Sequence, residues 1–264
     1  MSDRPIARAF AAARARGRAA LIPFLPAGWP SPAECREALR LAARTGADLI
    51  ELGIPFSDPL ADGPTIQRAS HRALAQGMTV AGVLDLVREA ALAVPVVIMT
   101  YLNPVLAYGL ARFLDDAAAA GVSGILCTDL PVGAAPDLEQ ILAAGPLDPI
   151  RLVAPTTSER RLREHRDGRR GFIYLISRLG VTGARDEAPP DIERHLRRIR
   201  AVSPLPVAVG FGISTPAQAA IAARHADGVV VGSALVDALD AGGLPAVERL
   251  LVSLGGALRA PEAA

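Results

Sequence analysis

Short apolar segments, several rich in β-branched residues, recur along the chain and alternate with longer amphipathic segments. Each apolar segment has the length of a strand that is buried on both faces of a parallel sheet. The pattern therefore predicts eight strands, at residues 21–26, 48–53, 96–101, 124–129, 150–154, 172–176, 206–210 and 228–232.

The segments between the predicted strands carry signals for the beginnings of helices. Ser31-Pro32 and Thr215-Pro216 each place a capping residue before an early proline. Pro189-Pro190-Asp191 precedes a third helix. The apolar stripe of that helix is predicted to contain Ile192, Leu196 and Ile199.

Eight strands alternating with helices in 264 residues favour a closed (β/α)8 barrel, the TIM barrel, over an open doubly wound sheet. Ile6 and Phe10, four residues apart, predict an extra N-terminal helix that covers one end of the barrel and belongs to the mature protein. Because no linker or change of composition interrupts the chain, residues 1–264 are expected to form one domain. The chemistry of such barrels lies at the carboxyl ends of the strands.

The segment ELGIPFSDPLADGP, residues 51–64, places acidic residues at the end of the second predicted strand. Removing an unpaired carboxylate such as Glu51 from water costs several kcal/mol, so this residue is paired, protonated or catalytic. Asp62 follows eleven positions later in a loop, and a loop that folds back would bring both carboxylates to one cleft. The alternatives are an arginine partner for Glu51 and a turn role for Asp62, while Asp58 is interpreted as a loop-structuring acid.

Glycine-rich loops follow the last two predicted strands. GFGIS, residues 210–214, follows the seventh, and Gly232-Ser233 follows the eighth. These loops often bind phosphate in (β/α)8 barrels, through backbone N–H groups at a helix N-terminus. Ordinary turns are the alternative interpretation.

A long loop and a buried tyrosine are two further features near the predicted site. Residues 177–190 are long for a strand-to-helix loop, and Gly180 and Gly183 could act as hinges, which is typical of a lid. Tyr174 places a polar group in a predicted buried strand, either at the site or as a core tyrosine with a satisfied hydroxyl.

Composition excludes several classes of function. The net charge of +1 and the 4% aromatic content do not suit a nucleic-acid-binding protein. No run of about 18 apolar residues is present, so no membrane span is predicted. All 28 basic residues are arginine, which excludes a lysine Schiff base and an internal pyridoxal phosphate aldimine.

The metal-binding and redox residues are scattered. Cys35 and Cys127 fit no metal or redox spacing and are expected to be small buried side chains in a reduced, cytoplasmic protein. No metal site is expected, because all the histidines fall in predicted helices rather than at strand ends. They are His71, His165, His195 and His225.

Five motifs together resemble the tryptophan synthase α-subunit family, and they span most of the chain in the family's order. They are ELGIPFSDPLADGP, IMTYLNPVL, YLISRLGVTGA, GFGIS and VVVGSALV. The first is highly specific to that family, whereas GFGIS and the VGSA step occur more widely in phosphate-binding barrels. The resemblance implies a retro-aldol lyase that splits indole-3-glycerol phosphate into indole and glyceraldehyde 3-phosphate.

The resemblance also implies roles for individual residues. Glu51 is similar to the family's general acid/base, and Asp62 to the carboxylate that meets the indole N–H. Thr182 belongs to the closing lid. The phosphate loops are matched by Gly183, Gly212, Gly232 and Ser233, and the surroundings of the indole and glycerol groups by Phe24, Tyr101, Tyr174 and Phe211.

The family further implies a pyridoxal phosphate-containing β subunit as the partner, in an α2β2 assembly, and no cofactor in this chain. Two departures from the family's pattern lie in loops: Trp29 replaces an acid or tyrosine, and TDLPVGAAPD, residues 128–137, lacks the usual acidic pair. The alternatives to the lyase are a sugar-phosphate isomerase or epimerase, and a non-enzymatic barrel that activates a partner or binds a metabolite.

Overall fold

A computed structural model describes residues 4–164, 170–176, 192–210 and 212–259. The predicted lid at 177–190 and the helix start at Pro189-Pro190-Asp191 lie outside the described residues. The described strands are β1 (Ala20–Pro26), β2 (Ile50–Gly53), β3 (Val96–Thr100), β4 (Val122–Cys127), β5 (Asp148–Pro149), β6 (Arg151–Val153), β7 (Ile173–Ile176), β8 (Val207–Gly210) and β9 (Gly228–Val231).

The helices lie between the strands. The described ones are α1 (Pro5–Ala15), α2 (Pro32–Arg44), α3 (Pro64–Ala75), α4 (Val80–Ala90), α5 (Leu102–Tyr108), α6 (Leu110–Ala119), α7 (Pro136–Ala144), α8 (Glu159–Glu164), α9 (Ile192–Arg200), α10 (Pro216–Ala223) and α11 (Ser233–Ala257). Non-helical backbone at Gly242 and Gly243 divides α11 into two helical parts.

The strands form one parallel sheet in the order β5-β4-β3-β2-β1-β9-β8-β7-β6. The first and last strands of this order, β5 and β6, are separated along the chain only by Ile150. Residues 148–153 therefore join the two edges and close the sheet, and together they occupy the position of the fifth predicted strand. The predicted (β/α)8 barrel is confirmed.

The second and fourth strands depart from their predicted boundaries by two residues. The second strand begins at Ile50 rather than at Asp48, whose carboxylate accepts a hydrogen bond from the Leu21 N–H at 2.8 Å. The fourth covers Val122–Cys127, and the chain leaves it before Asp129, whose side chain accepts from the Leu102 N–H at 2.8 Å. In both places an aspartate side chain accepts a hydrogen bond from a backbone N–H of a neighbouring segment.

The predicted helix caps are confirmed where they are described. Ser31 accepts a hydrogen bond from the Glu34 N–H at 3.3 Å, and Thr215 forms a capping box with Gln218. The predicted stripe of α9, made of Ile192, Leu196 and Ile199, is buried.

Helix α1 closes the end of the barrel at which the strands begin. Its side chains Ile6 and Phe10 are buried, as predicted, and the Phe10 ring centroid lies 5.3 Å from that of Phe172. A Cβ atom built on Gly228, the first residue of β9, would lie 2.9 Å from the Phe10 ring. Glycine at this position therefore allows the helix to approach closely.

Arginines from α1 and its surroundings bind three aspartates at the same end of the barrel. The aspartates precede or begin β2, β5 and β9, and Asp48 and Asp148 are almost fully buried. Paired buried carboxylates avoid the penalty of an isolated charge. The pairs are Asp48 with Arg16 and Arg18, Asp148 with Arg4 and Arg170, and Asp227 with Arg14 and Arg200.

Candidate active site

Glu51 lies on β2, opposite Phe24 of β1 and Val97 of β3. Its side chain is buried, with the residue 1% exposed, and within the described part of the chain neither carboxylate oxygen has a hydrogen-bond partner. Burial, and secondarily the charge of Asp62, raises the pKa of Glu51 to about 8. An arginine partner, the alternative interpretation, is not found among the described residues, and burial favours the protonated form of Glu51 at pH 7.

Asp62 lies in the loop between β2 and α3, and its carboxylate accepts a hydrogen bond from the Tyr101 hydroxyl at 3.3 Å. Burial raises the pKa of Asp62 to about 6, and the hydrogen bond from Tyr101 opposes that rise. At neutral pH the site therefore pairs a protonated carboxyl group with an ionised one. Such a difference in pKa is what separate acid and charge-stabilising roles require.

Both carboxyl groups face one cavity of about 290 Å³ at the carboxyl ends of the strands. Its volume is close to the lower bound of small-molecule sites. Tyr101 is not among the described residues that line it. Those residues are Phe24, Glu51, Asp62, Gly63, Pro64, Thr65, Ile66, Met99, Tyr174, Gly212, Ile213, Ser214, Val230, Gly232, Ser233, Ala234 and Asp237.

The ring of Phe24 forms part of the cavity wall between two glycines. A Cβ atom on Gly53 would lie 2.8 Å from this ring, and one on Gly232 would lie 2.9 Å from it. Side chains at these two positions would displace Phe24. The glycine after the last strand thus serves the packing of Phe24 as well as the loop.

Tyr174 lies on β7 and is buried, with its hydroxyl beside Gly210 of β8. Burial, reinforced by the charges of Glu51 and Asp62, raises the pKa of Tyr174 well above its ordinary value. The hydroxyl therefore stays protonated and presents a neutral polar group to the cavity.

Gly210→Ala is expected to destabilise the protein by about 1–3 kcal/mol, because overpacking forces neighbouring side chains from their positions. The new Cβ would lie 2.2 Å from the Tyr174 hydroxyl oxygen. Chemical denaturation measures the change. Gly256→Ala is the matched control, since a Cβ there meets no atom within 4 Å.

The displacement of Tyr174 can be separated from backbone effects by a double-mutant cycle. Combining Gly210→Ala with Tyr174→Leu should cost less stability than the sum of the two single changes, because the shorter side chain relieves the contact. Additive costs would show that the tyrosine is not what limits residue 210.

The helix that follows β9 begins without a side-chain cap. Gly232 precedes α11 and provides no side-chain cap, and Ser233 is the first residue of this helix. By contrast, Gln218 accepts from the Ser214 and Thr215 N–H groups at 2.8 and 3.2 Å, so the start of α10 is already occupied. Gly212, Gly232 and Ser233 all line the cavity. Phe211, Thr182 and Gly183 lie outside the described residues.

Several lining residues were missed by the sequence analysis. Thr65 and Ile66 belong to the first turn of α3, directly after ADGP, and this position was a usable signal. Met99 pairs with Gly53 near the end of β3. Asp237 is four residues after Ser233, so helical spacing places both on one face of α11.

The loops that depart from the family's pattern, and the loop of Asp58, are held by identifiable contacts. Trp29 is buried, and the Arg72 guanidinium carbon lies 4.9 Å from its ring centroid. Glu139 accepts a hydrogen bond from the Gly133 N–H at 2.7 Å, so it organises the loop that lacks the acidic pair. Asp58 is exposed and accepts from the Ser57 hydroxyl at 2.5 Å.

The cysteines and histidines provide no second site in the described part of the chain. Cys35 and Cys127 are buried free thiols, as predicted. His71 lies in α3 and His195 in α9, whereas His225 lies in the turn after α10 rather than in a helix, and His165 is outside the described residues. The described residues contain no group of three or more His, Cys, Asp or Glu that could hold a metal ion.

No helix among the described residues combines the length and apolar character needed to cross a membrane.

Comparisons with known proteins give one family. Residues 10–252 match the sequence profile described as tryptophan synthase alpha chain. The alpha chain of Acidiphilium cryptum is 50% identical over 240 residues, which cover 90% of this chain and 87% of that one. The alpha chain of Gluconacetobacter diazotrophicus is 50% identical over 267 residues, covering 96% and 97% respectively.

Solved structures agree with the sequence relatives. Tryptophan synthase from Mycobacterium tuberculosis is 41% identical, with a TM-score of 0.91 over 98% of this chain and 100% of that one. Tryptophan synthase subunit alpha from Legionella pneumophila is 34% identical, with a TM-score of 0.88 over 97% and 99%. The chain therefore belongs to the tryptophan synthase alpha chain family, the carbon–carbon lyases that cleave indole-3-glycerol phosphate in tryptophan biosynthesis and need no cofactor of their own.

Proposed function

We propose that Glu51 and Asp62 divide the acid–base chemistry of indole-3-glycerol phosphate cleavage between them. The protonated Glu51 gives its proton to indole C3, and the positive charge that develops on the ring is stabilised at the N–H by the Asp62 carboxylate. The Glu51 carboxylate then takes the proton of the side-chain hydroxyl as the carbon–carbon bond breaks. The electrons of the broken carbon–carbon bond return to the ring. The products are indole and an aldehyde, and Glu51 is again protonated.

One observation carries this proposal: Glu51 and Asp62 face the same cavity from surroundings that raise the pKa of Glu51 further than that of Asp62. Burial without a hydrogen-bond partner keeps Glu51 neutral at pH 7, whereas the hydrogen bond from Tyr101 favours the ionised form of Asp62. The indole ring acts as the electron sink that a Schiff base provides in other aldolases. A chain without lysine suits that route.

The phosphate of the substrate is assigned to the N-terminus of α11. Gly212, Gly232 and Ser233 line that end of the cavity, and the uncapped helix start supports anion binding there. Phe24 and Tyr174 form walls suited to the indole and glycerol parts. Roles for Thr182, Gly183 and Phe211 stay predictions of the family resemblance.

The proposed protonation states are tested by the pH dependence of kcat for indole release. Activity requires Asp62 to be ionised and Glu51 to be protonated, so kcat should fall below about pH 6 and above about pH 8. Free indole can be followed with purified chain and indole-3-glycerol phosphate. A kcat that rises steadily through pH 9 would contradict a protonated Glu51.

We also propose that the chain assembles with a pyridoxal phosphate-containing β subunit as α2β2 and passes indole to it. Two exposed apolar side chains at the mouth of the barrel support such a contact. Leu60 in the β2–α3 loop is 91% exposed, and Leu106 on α5 is 44% exposed. Light scattering of a mixture with a β subunit tests it: the mass of an α2β2 particle is expected, and separate masses would refute the assembly.

A further inference from the structure

Tyr101 is buried at the mouth of the barrel, yet it is not among the described residues that line the cavity. It follows β3 directly and is 5% exposed. Its hydroxyl faces the loop between β2 and α3, residues 54–63, rather than the space available to substrate. A place among the surroundings of the indole and glycerol groups, the expectation from the family resemblance, leaves this orientation unexplained.

Three contacts tie the loop of residues 54–63 to this one side chain. The Ala61 N–H donates to the Tyr101 hydroxyl oxygen at 2.9 Å, and the hydroxyl donates to Asp62 Oδ2 at 3.3 Å. The Phe56 ring lies with its centroid 5.1 Å from that of Tyr101, at an interplanar angle of 32°. Both hydrogen bonds and the ring contact therefore meet at the end of a barrel strand.

We infer that Tyr101 is a positioning residue that holds the Asp62 carboxylate at the cavity and in its ionised form, without contacting substrate. The inference rests on the proposed role of Asp62. The hydroxyl of Tyr101 binds the Asp62 carboxylate, and its ring packs against the loop that carries Asp62.

The backbone around Tyr101 is suited to this task. Thr100, at the end of β3, pairs with Cys127 of β4, and the next N–H after Tyr101, that of Leu102, donates to Asp129 at 2.8 Å. The tyrosine is therefore fixed on both sides, whereas the loop has no strand pairing of its own. A rigid element thus supports a catalytic group on a loop.

Electrostatics point the same way. The carboxylate of Asp62 is faced by Tyr101, by Glu51 from β2 and by Tyr174 from β7. Burial raises the pKa of Asp62, and the hydrogen bond from Tyr101 is the contribution that lowers it. Burial also raises the pKa of the Tyr101 hydroxyl above its usual range, so this donor keeps its proton wherever Asp62 is ionised.

Gln67 on α3 provides a contrast, because it binds the same loop from the helix that follows it. Its side-chain amide donates to the Asp62 carbonyl oxygen at 3.0 Å and to the Pro59 carbonyl oxygen at 3.4 Å. It therefore holds the backbone of the loop and has no contact with the carboxylate. Loss of this side chain should misplace Asp62 without changing its pKa.

The experiment compares the pH dependence of kcat in Tyr101→Phe with that of the unmodified chain. The variant keeps the ring contact and loses the hydroxyl, so kcat at its optimum should fall roughly 10- to 100-fold, the effect of losing one hydrogen bond to a charged group. The acidic limb should move to higher pH, because Asp62 loses the donor that favours its ionised form.

Tyr108→Phe is the matched control, since the Tyr108 hydroxyl also donates to an aspartate, Asp116, at 2.7 Å but lies on α5 away from the cavity. It should leave both kcat and the acidic limb unchanged. Because every variant is measured with the same substrate, a limb caused by titration of the substrate phosphate would appear equally in this control. Gln67→Leu should lower kcat with the limb in place. An unmoved limb and a kcat within about twofold of the unmodified chain in Tyr101→Phe would overturn the inference.

Two further measurements keep the result interpretable. Thermal unfolding of Tyr101→Phe measures how much stability the variant loses. A structural role would lower stability without moving the acidic limb, whereas a positioning role moves the limb. Asp62→Asn measured in parallel separates the two proposals. If Asp62→Asn is impaired and Tyr101→Phe is normal, the inference fails alone; if Asp62→Asn is normal, the role of Asp62 fails as well.

Discussion

Glu51→Gln is expected to release indole about 10²- to 10⁴-fold more slowly than the unmodified chain, the usual effect of removing a positioned acid–base group. The amide has nearly the same shape as the protonated carboxyl group but has no acidic proton for indole C3. It also cannot take up the proton of the substrate hydroxyl. The protonated carboxyl group and the amide that replaces it are both buried and uncharged. Phosphate binding should therefore be kept, and KM should change little.

Steady-state release of indole measures this effect, with Glu89→Gln as the matched control. Glu89 is exposed and pairs with Arg36 at 2.5 Å on the outside of the barrel, so the same chemical change there should leave kcat unaltered. Turnover of Glu51→Gln within a few-fold of the control would remove Glu51 from the mechanism.

Stability as a function of pH shows whether Glu51→Gln leaves the fold intact. The pKa of Glu51 is about 8 in the folded chain against an ordinary value of 4.5, so the folded state holds the extra proton between these pH values. Stability from this group is full below about pH 4.5 and is lost as pH rises to about 8, by an amount on the order of a few kcal/mol. The variant lacks this loss and should gain stability relative to the unmodified chain from pH 5 to pH 8.

Asp62→Asn is expected to lower kcat by about 10²- to 10³-fold, comparable to removing one group that stabilises charge in a transition state. The amide leaves the indole N–H without a negative partner when positive charge develops on the ring. It keeps the size of the side chain, so the cavity and the phosphate site should be unchanged.

Asp58→Asn is the control for that measurement, because it makes the same change four residues earlier in the same loop. Asp58 is exposed and bonded to the Ser57 hydroxyl. Equal losses of kcat in both variants would mean that any disturbance of the loop is sufficient, and would refute a specific role for the Asp62 carboxylate. An unaffected Asp62→Asn would refute it outright.

The barrel could be predicted from the sequence because its signals are local. Buried parallel strands appear in the sequence as continuous apolar segments, and the capping residues Ser31 and Thr215 mark the starts of two helices. Strand ends were less certain, since Asp48 and Asp129 end pairing through contacts with residues far away in sequence. The closing of the barrel at Ile150, where neighbouring residues pair with opposite edges, leaves no local pattern at all.

The candidate site was predictable where the sequence places an ionisable side chain in a segment that is otherwise apolar and buried. Glu51 is conspicuous because burying an acid in an apolar strand is costly, and the loop that follows the strand led from it to Asp62, to which the family resemblance then gave a role. The orientation of Tyr101 was not predictable, because a tyrosine at a strand end can face either substrate or a loop. Asp237 and Thr65 were missed because a polar residue in the first two turns of a helix is ordinary.

Helix α1 has a consequence for how the chain folds. Some of its contacts are with residues much later in the sequence: Arg14 binds Asp227, 213 positions away, and the Ala19 N–H just beyond it donates to the Leu258 carbonyl oxygen at 3.1 Å. Contacts of such high sequence separation form slowly, since the intervening chain must first be ordered. Helix α1 precedes every strand along the chain and is nevertheless among the last elements to reach its final position, because Arg14 has no Asp227 to bind until the segment before β9 is in place.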